Sequence, residues 1–104
     1  MRTAMTDINE TGIRQKVINE IKDYAELYEL KKVILFGSRA RGDYKEKSDI
    51  DLAVTGGNVA AFSIAVDENT STLLKFDIVD LDASVQEELS QSIEREGIVI
   101  YEKI

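Results

Sequence analysis

Two aspartates, Asp49 and Asp51, stand one residue apart in the otherwise apolar stretch "DIDLAV". Side chains of a strand alternate between its two faces, so both carboxylates would share one face while Ile50 turns into the core. Carboxylates held this close repel each other, and a bound divalent cation offsets the repulsion better than a shared proton. Oxygen ligands without a nearby histidine or cysteine suit Mg²⁺ or Mn²⁺ rather than zinc. A simpler interpretation stays open, in which Ser48 and Asp49 form a turn and Asp51 lies on a solvated strand face.

A second group of reactive side chains precedes the aspartates in "FGSRARG", directly after an apolar run. Gly37 allows the backbone to turn sharply, and Ser38 then offers a hydroxyl and a backbone N–H where anions bind readily. Arg39 and Arg41 add positive charge, and arginine can hold a phosphate through two hydrogen bonds. Taken alone, the segment could equally be a glycine turn with two solvated arginines. Beside the paired aspartates, it predicts the other half of a site for a metal-bound triphosphate.

The composition excludes several other chemistries. The chain has neither cysteine nor histidine, which rules out disulfides, thiolate sites and imidazole catalysis. Gly37 and Gly42 have the spacing of a P-loop, but Asp43 and Tyr44 stand where lysine and serine or threonine are required. An EF-hand that begins at Asp49 would lack its glycine and its final glutamate. With 13 basic against 20 acidic residues the chain carries a net charge of −7, which argues against nucleic acid as a partner but not against nucleotides.

Length and hydropathy predict one globular domain over residues 1–104. Hydrophobic residues make up 43% of the chain, which is enough for a modest core. No apolar run approaches the ~20 residues needed to span a membrane, and "MRTAMTDINE" lacks the apolar centre of a signal peptide. We therefore expect a cytoplasmic protein without membrane contact.

The elements that position these residues can be read from apolar periodicity. Apolar side chains recur at spacings of three and four between Gly12 and Tyr28, which predicts an amphipathic helix. "KKVILF" and residues 50–54 predict buried strands, and "NVAAFSIAVDE" predicts a helix. "KFDIVDL" and "IVIYE" predict two more strands, separated by a helix that begins at a capping box from Ser84 to Glu87 and ends at Gly97. This alternation of helices and strands predicts an α/β (α+β) fold, in which helices cover a sheet.

The two-part motif resembles that of the nucleotidyltransferase superfamily, which includes DNA polymerase β and kanamycin nucleotidyltransferase. The family pattern is an apolar strand, Gly-Ser, a short spacer and Asp-x-Asp between apolar residues. Here it is "VILFGSRARGDYKEKSDIDLAV". The likeness to the minimal nucleotidyltransferases covers nearly the whole chain, down to "EREGIVIYEK". It implies the nucleotidyltransferase fold, a mixed β-sheet of three to four strands flanked by helices.

The family also uses a third carboxylate on a later strand, for which "FDIVDLD" offers three aspartates. Asp77 fits the family pattern best, because it directly precedes a pair of aliphatic residues. Asp80 would face the other side of the strand, and Asp82 would lie in the turn that follows. The resemblance implies that Asp49, Asp51 and Asp77 are the catalytic residues and bind two Mg²⁺ ions, with Mn²⁺ as an alternative metal.

The same resemblance implies the reaction. One ion would hold the phosphates of ATP, and the other would lower the pKa of an attacking hydroxyl that displaces pyrophosphate at the α-phosphorus. Gly37 and Ser38 would hold the leaving phosphates, and Arg39 or Arg41 would offset their charge. The sequence does not decide between the two arginines, and it predicts a solvated loop without a role for "DYKEK".

The resemblance also implies a partner. Minimal nucleotidyltransferases are typically paired with a small helical HEPN protein, and in the best-understood pairs they are antitoxins that transfer AMP to a tyrosine of the toxic partner. We therefore expect an adenylyltransferase that acts on a HEPN partner. Two alternatives stay open: an antitoxin that only covers its partner, and transfer of a nucleotide to a small hydroxyl compound. The preferred base and the oligomeric state, homomeric or heteromeric, are not predicted.

Overall fold

The structure, a computed structural model, describes residues 10–104. Most of the stretch considered above as a signal peptide, residues 1–9, lies outside the described range. Each predicted helix and strand is present, with ends that differ by a few residues. The elements are α1 (Gln15–Leu27), β1 (Lys32–Phe36), α2 (Ser38–Arg41), β2 (Ile50–Thr55), α3 (Val59–Asn69), β3 (Phe76–Asp80), α4 (Glu87–Glu96) and β4 (Ile98–Glu102).

α1 forms because its apolar side chains return to one face with each turn. Val17, Ile18, Ile21 and Ala25 are buried on that face, and Lys22 on the other face is exposed. Across residues 10–104, every helix falls short of the length and apolarity needed to traverse a bilayer.

The strands form one mixed sheet in the order β3-β2-β1-β4. β1 pairs antiparallel with β2 and β4, whereas β2 pairs parallel with β3. Parallel neighbours need a crossover connection, and the segment that contains α3 supplies it. The mixed, helix-flanked sheet confirms the expected fold class.

Side-chain alternation divides the core between the two faces of the sheet. On one face, three aliphatic residues of β2 pack with α1 and α3. These residues are Ile50, Leu52 and Val54. The other face of β2 carries Asp51 and Ala53, and Ala53 packs with Ile93 of α4. Asp51 therefore lies on the face of the sheet that α4 partly covers.

The start of α4 differs from the prediction. The helix begins at Glu87 after the N-cap residue Gln86, whose side chain makes no capping hydrogen bond, so the predicted capping box from Ser84 to Glu87 is wrong. Leu89 and Ile93 lie one turn apart and pack against the second face of the sheet. This tertiary packing, together with the acidic first turn that complements the helix dipole, sets the helix start two residues later than the local motif suggests.

Candidate active site

Three carboxylates meet at the end of the sheet where β1 finishes and where β2 and β3 begin. Asp49 immediately precedes β2, Asp51 is its second residue, and Asp77 is the second residue of β3. The parallel register pairs Asp51 directly with Asp77. In the antiparallel register, Asp51 also pairs with Phe36, the last residue of β1. Strand register thus brings the three predicted catalytic residues to one end of the sheet.

Asp51 is the most constrained of the three carboxylates. It is half-buried, whereas Asp49 and Asp77 are exposed. Burial, and after it the negative charges of Asp77 and Asp49, raise the pKa of Asp51 to about 6. The charge of Arg41 opposes this rise more weakly, and no hydrogen bond within residues 10–104 contributes to it. A carboxylate perturbed by burial and like charges is a typical feature of a functional site.

Gly37 leaves the space that Asp51 occupies. Its backbone has φ 77° and ψ −157°, a conformation that residues with a side chain rarely adopt. A Cβ atom at this position would lie 2.2 Å from Oδ2 of Asp51. Both the backbone conformation and the neighbouring carboxylate therefore require glycine here. The turn that ends β1 is packed directly against the central carboxylate of the cluster.

Ser38 begins α2 directly after this glycine. Its carbonyl oxygen accepts hydrogen bonds from the N–H groups of Gly42 and Asp43 at 2.9 and 3.1 Å. Gly42 has φ 93° and ends the helix. The first N–H groups of a helix have no partner within it, so the strand-turn-helix geometry required for a phosphate-binding turn is present beside the carboxylates.

Arg39 is buried rather than open to a ligand. Only 1% of the residue is exposed, and its guanidinium donates to the carbonyl oxygens of Thr11, Ser48 and Glu46 at 2.9, 3.1 and 3.1 Å. The guanidinium carbon also lies 4.6 Å from the ring centroid of Tyr44. The expectation that Arg39 contacts the nucleotide does not fit this placement, because its donors are used on the backbone. Arg39 instead holds the loop from which the chain enters β2.

Arg41 is the arginine that remains accessible near the carboxylates. Its side chain is 43% exposed and forms ion pairs with Asp43 at 3.3 Å and with Glu96 of α4 at 3.2 Å. Hydrogen bonds to these two acids raise the pKa of Arg41, and its charge lowers that of Asp51. The sequence does not decide which of the two arginines would contact phosphate, and the geometry favours Arg41.

Two residues beside the site were not predicted. Tyr44 lies in the loop "DYKEK", yet its ring packs on Arg39 and against Gly12, where an added Cβ would lie 2.5 Å from the ring. An aromatic residue inside a polar loop was the available signal for this role. Glu96 gave no signal, because its partner Arg41 is 55 residues away in the chain.

The two remaining aspartates of β3 and its turn lie apart from the cluster. Asp80 ends β3 on the opposite face from Asp77, and its carboxylate accepts the N–H of Asp82 at 2.9 Å. Asp82 lies in the turn after β3 and accepts hydrogen bonds from the Thr55 hydroxyl and the Gly56 N–H, both at 2.6 Å. Both positions agree with those expected from strand alternation.

The carboxylate cluster offers the oxygen ligands that Mg²⁺ and Mn²⁺ prefer. In the described part of the chain, no three acidic side chains stand close enough together to hold one ion in this conformation. The three carboxylates could therefore share an ion only after their side chains rotate.

A comparison with known protein families identifies the family to which the chain belongs. The family model "Polymerase beta, Nucleotidyltransferase" matches residues 19–104, which is most of the chain. The chain belongs to this nucleotidyltransferase family. All the predicted site residues of the nucleotidyltransferase, from Gly37 to Asp77, lie inside the matched range.

Two proteins of Methanocaldococcus jannaschii, both named "putative protein adenylyltransferase", are similar in sequence to this nucleotidyltransferase. The first is 40% identical over 81 residues, which cover 78% of this chain and 77% of the relative. The second is 41% identical over 54 residues, which cover 52% of this chain and 60% of the relative.

Solved structures share the fold of this nucleotidyltransferase. A crystal structure of a toxin–antitoxin with AMP-PNP has a TM-score of 0.66 at 24% identity and covers 83% of this chain and 73% of its own. A mutant of the toxin–antitoxin MntA–HpeT has a TM-score of 0.65 at 22% identity, with the same coverage. A protein from Shewanella oneidensis has a TM-score of 0.61 at 20% identity and covers 86% of this chain and 74% of its own.

Proposed function

We propose that this nucleotidyltransferase transfers AMP from ATP to a hydroxyl of a protein partner, with Asp49, Asp51 and Asp77 as catalytic residues. The observation that carries the proposal is the meeting of the three carboxylates beside the turn at Gly37, with the pKa of Asp51 raised to about 6. Crowded negative charge is unfavourable for the fold by itself, and it is expected where a cationic ligand completes the site.

Once their side chains have rotated toward a common point, the same three carboxylates would hold two Mg²⁺ ions, with Mn²⁺ as an alternative. Their oxygen-only donor set suits these hard cations. The raised pKa of Asp51 reflects burial first and then the negative charges of Asp77 and Asp49, and a bound cation would favour the ionised carboxylate against both. When bound, such ions lower the pKa of an attacking hydroxyl and offset the charge on the phosphates.

The other site residues act on the substrate directly. The turn at Gly37 and Ser38 would hold the leaving phosphates through its backbone N–H groups and the serine hydroxyl. Arg41 would offset their charge, since its half-exposed guanidinium lies near the carboxylates and can exchange an exposed ion pair with Asp43 for one with phosphate. Asp77 is exposed on its strand and can accept the proton of the acceptor hydroxyl.

The comparisons support both AMP as the transferred group and a protein as its acceptor. A relative that is 40% identical carries the name of a protein adenylyltransferase, which favours AMP as the transferred group and a protein as the acceptor. The toxin–antitoxin structures share the fold, which is consistent with a toxin partner. The resemblance in sequence carries the finer proposal, a cytoplasmic antitoxin that modifies a tyrosine of a HEPN protein.

The test is a transfer experiment with the purified protein. The protein, Mg²⁺ and ATP labelled at the α-phosphate are mixed with the product of the neighbouring reading frame, and the intact mass of that product is measured. We expect the addition of one AMP, which disappears when Mg²⁺ is chelated and in the variant Asp49→Asn. The matched control is Asp67→Asn, which neutralises an exposed carboxylate on α3, at the opposite face of the sheet.

Three results would contradict the proposal. An Asp49→Asn variant that neutralises its partner fully without any adduct would mean that covering the partner is sufficient. Transfer to a small hydroxyl compound such as an aminoglycoside, without any protein partner, would assign a different acceptor. Equal loss of transfer in the Asp67→Asn control would remove the evidence for the carboxylate cluster.

A further inference from the structure

A cavity of about 440 Å³ opens beside the carboxylates, and none of the roles assigned above uses it. It is lined by Lys47, Asp49, Leu73, Leu74 and Lys75. Its volume falls in the range of small-ligand sites. Leu73 is fully exposed, and together with Leu74 it forms the apolar part of the lining. Two cationic residues stand next to this apolar surface in a chain whose net charge is −7.

The cavity is fixed to the catalytic end of the sheet. The N–H of Ile50 donates to the carbonyl oxygen of Lys75 at 2.8 Å, which ties the wall of the cavity to the strand between Asp49 and Asp51. Lys75 also precedes Asp77 by two residues, so the two side chains lie on the same side of the extended chain. The cavity therefore borders the cluster on the β3 side of the sheet.

The phosphate-binding turn lies on the other side of the cluster. Gly37 follows β1, and the strand order β3-β2-β1-β4 places β2 with its aspartates between β1 and β3. In phosphoryl and nucleotidyl transfer, the attacking oxygen and the leaving group lie roughly in line on opposite sides of the phosphorus. If pyrophosphate leaves toward the β1 side, the attacking hydroxyl must approach from the β3 side, where the cavity is.

We infer that this cavity seats the acceptor, a phenolic side chain presented by the protein partner. This inference rests on the proposed function and specifies its acceptor site. An aromatic ring would pack on Leu73 and Leu74, and Lys47 and Lys75 would supply positive charge near its oxygen. A phenol combines an apolar body with a polar tip, which matches a lining of two leucines beside Lys47, Lys75 and Asp49.

The geometry of the α-phosphorus argues against the nucleoside as the occupant. The nucleoside is attached through a bond roughly at right angles to the line that joins the attacking and leaving oxygens. A nucleoside placed in the cavity would occupy the path that the acceptor needs. The cavity therefore fits the acceptor better than the base or the ribose.

The kinetic test compares Leu73→Ala with Ile64→Ala. Both side chains are exposed, Leu73 fully and Ile64 by 60%, so neither substitution should disturb the core. For Leu73→Ala we expect the KM for the protein acceptor to rise about tenfold, as for the loss of one apolar contact, while the KM for ATP stays unchanged. Ile64→Ala, on α3 at the far face, should change neither constant. A KM for the acceptor within about twofold of wild type in Leu73→Ala would overturn the inference.

A binding test that needs no transfer separates the inference from the proposed function. The methyl resonances of leucine are followed by NMR during titration with N-acetyl-tyrosinamide, and separately with AMP-PNP. We expect the tyrosine compound to shift the methyls of Leu73 and Leu74 and AMP-PNP to leave them nearly unchanged. Larger shifts with AMP-PNP would assign the cavity to the nucleoside and overturn the inference. Shifts with the tyrosine compound in a protein that modifies no partner would sustain the acceptor cavity while the proposed function fails.

Discussion

Two aspartates that lie near opposite ends of β2 have pKa values shifted in opposite directions. At the end of the strand, Asp82 accepts the Thr55 hydroxyl and the Gly56 N–H at 2.6 Å each, and these hydrogen bonds lower its pKa. At the start of the strand, Asp51 is half-buried among other carboxylates, and its pKa is raised to about 6. The anionic form of Asp82 is thus stabilised by hydrogen bonds, whereas ionisation of Asp51 costs free energy.

The difference separates a carboxylate that stabilises the fold from one that is proposed to act in the reaction. Asp82 gains from the fold, because its charge is hydrogen-bonded and connects the turn after β3 to the end of β2. Asp51 costs the fold free energy at neutral pH, because burial and like charges oppose its ionisation. A position that is unfavourable without a ligand is expected where a ligand completes the site. Changes at the two ends should accordingly affect different properties.

The largest effect should come from Asp51→Asn. The change removes a proposed metal ligand and one charge of the repelling cluster, so transfer should fall by several orders of magnitude while thermal stability without Mg²⁺ holds or rises. A transfer assay with labelled ATP, beside thermal melts with and without Mg²⁺, measures both properties. Transfer at the wild-type rate would show that Asp51 is not catalytic.

Gly37→Ala should damage stability and transfer together. The new Cβ would meet Oδ2 of Asp51 at 2.2 Å, in a backbone with φ 77°. Strain in this backbone region, which is essentially restricted to glycine, costs about 1–3 kcal/mol, and displacement of Asp51 should reduce transfer as well. Gly42→Ala is the control, because it also places a side chain at positive φ, 93°, but in the milder left-handed region at the other end of α2 and away from Asp51. If both variants lose stability equally and keep transfer, the contact between Gly37 and Asp51 does not matter for the reaction.

The pH dependence of stability should reveal the raised pKa of Asp51. In the folded protein, Asp51 holds its proton up to a pH of about 6, whereas in the unfolded chain it loses it near its ordinary value of 3.8. Its contribution to stability is therefore fully present below pH 3.8 and is lost as the pH rises to about 6. After allowance for solvent screening, the loss should be about 1 kcal/mol.

Denaturant unfolding of wild type and Asp51→Asn between pH 4 and pH 7 measures this loss. The free energy of unfolding of the variant should exceed that of wild type by a growing amount as the pH rises. Mg²⁺ should reduce the difference at pH 7, because a bound cation offsets the charge of the cluster. A difference that is independent of pH would mean that Asp51 titrates normally in the folded protein.

The smallest effect on the reaction should come from Asp82→Ala. The change removes the acceptor of two hydrogen bonds, so the melting temperature should fall while transfer stays close to that of wild type. Its pKa is lowered in the folded protein, so its stabilising effect is present above its unfolded pKa and is lost as the pH falls. A variant that melts normally but transfers poorly would reverse the contrast between the two ends of β2.

The sequence predicted the parts of the molecule that depend on local pattern. Unbroken apolar runs predicted β1 and β2, and the three-to-four spacing predicted α1, because burial imposes those periods directly. Alternation along a strand predicted Asp49 and Asp51 on one face; in the structure Asp49 stands one residue before β2, and its charge contributes to the raised pKa of Asp51. The match of Asp77 to a family pattern then agreed with the strand register that sets it opposite Asp51.

The features that were missed depend on contacts between distant segments. The two arginines of "SRAR" are equivalent in sequence, and only the packed loop shows that Arg39 binds three carbonyl groups while Arg41 remains accessible. The ion pair of Arg41 with Glu96 requires α4 to lie near α2, which no local pattern records. The start of α4 was misplaced because packing against the sheet outweighed a local capping motif.

The register between β2 and β3 also links correct folding to a correctly assembled site. If β2 slipped by one residue relative to its neighbours, every side chain would exchange faces. Leu52 and its apolar neighbours would turn away from α1 and α3, and Asp51 would point into the interior they leave. Such a slipped molecule would lose its core together with its aligned carboxylates, so it could not persist as a stable but inactive form. The folded molecules of a preparation should therefore share one register and the same alignment of carboxylates.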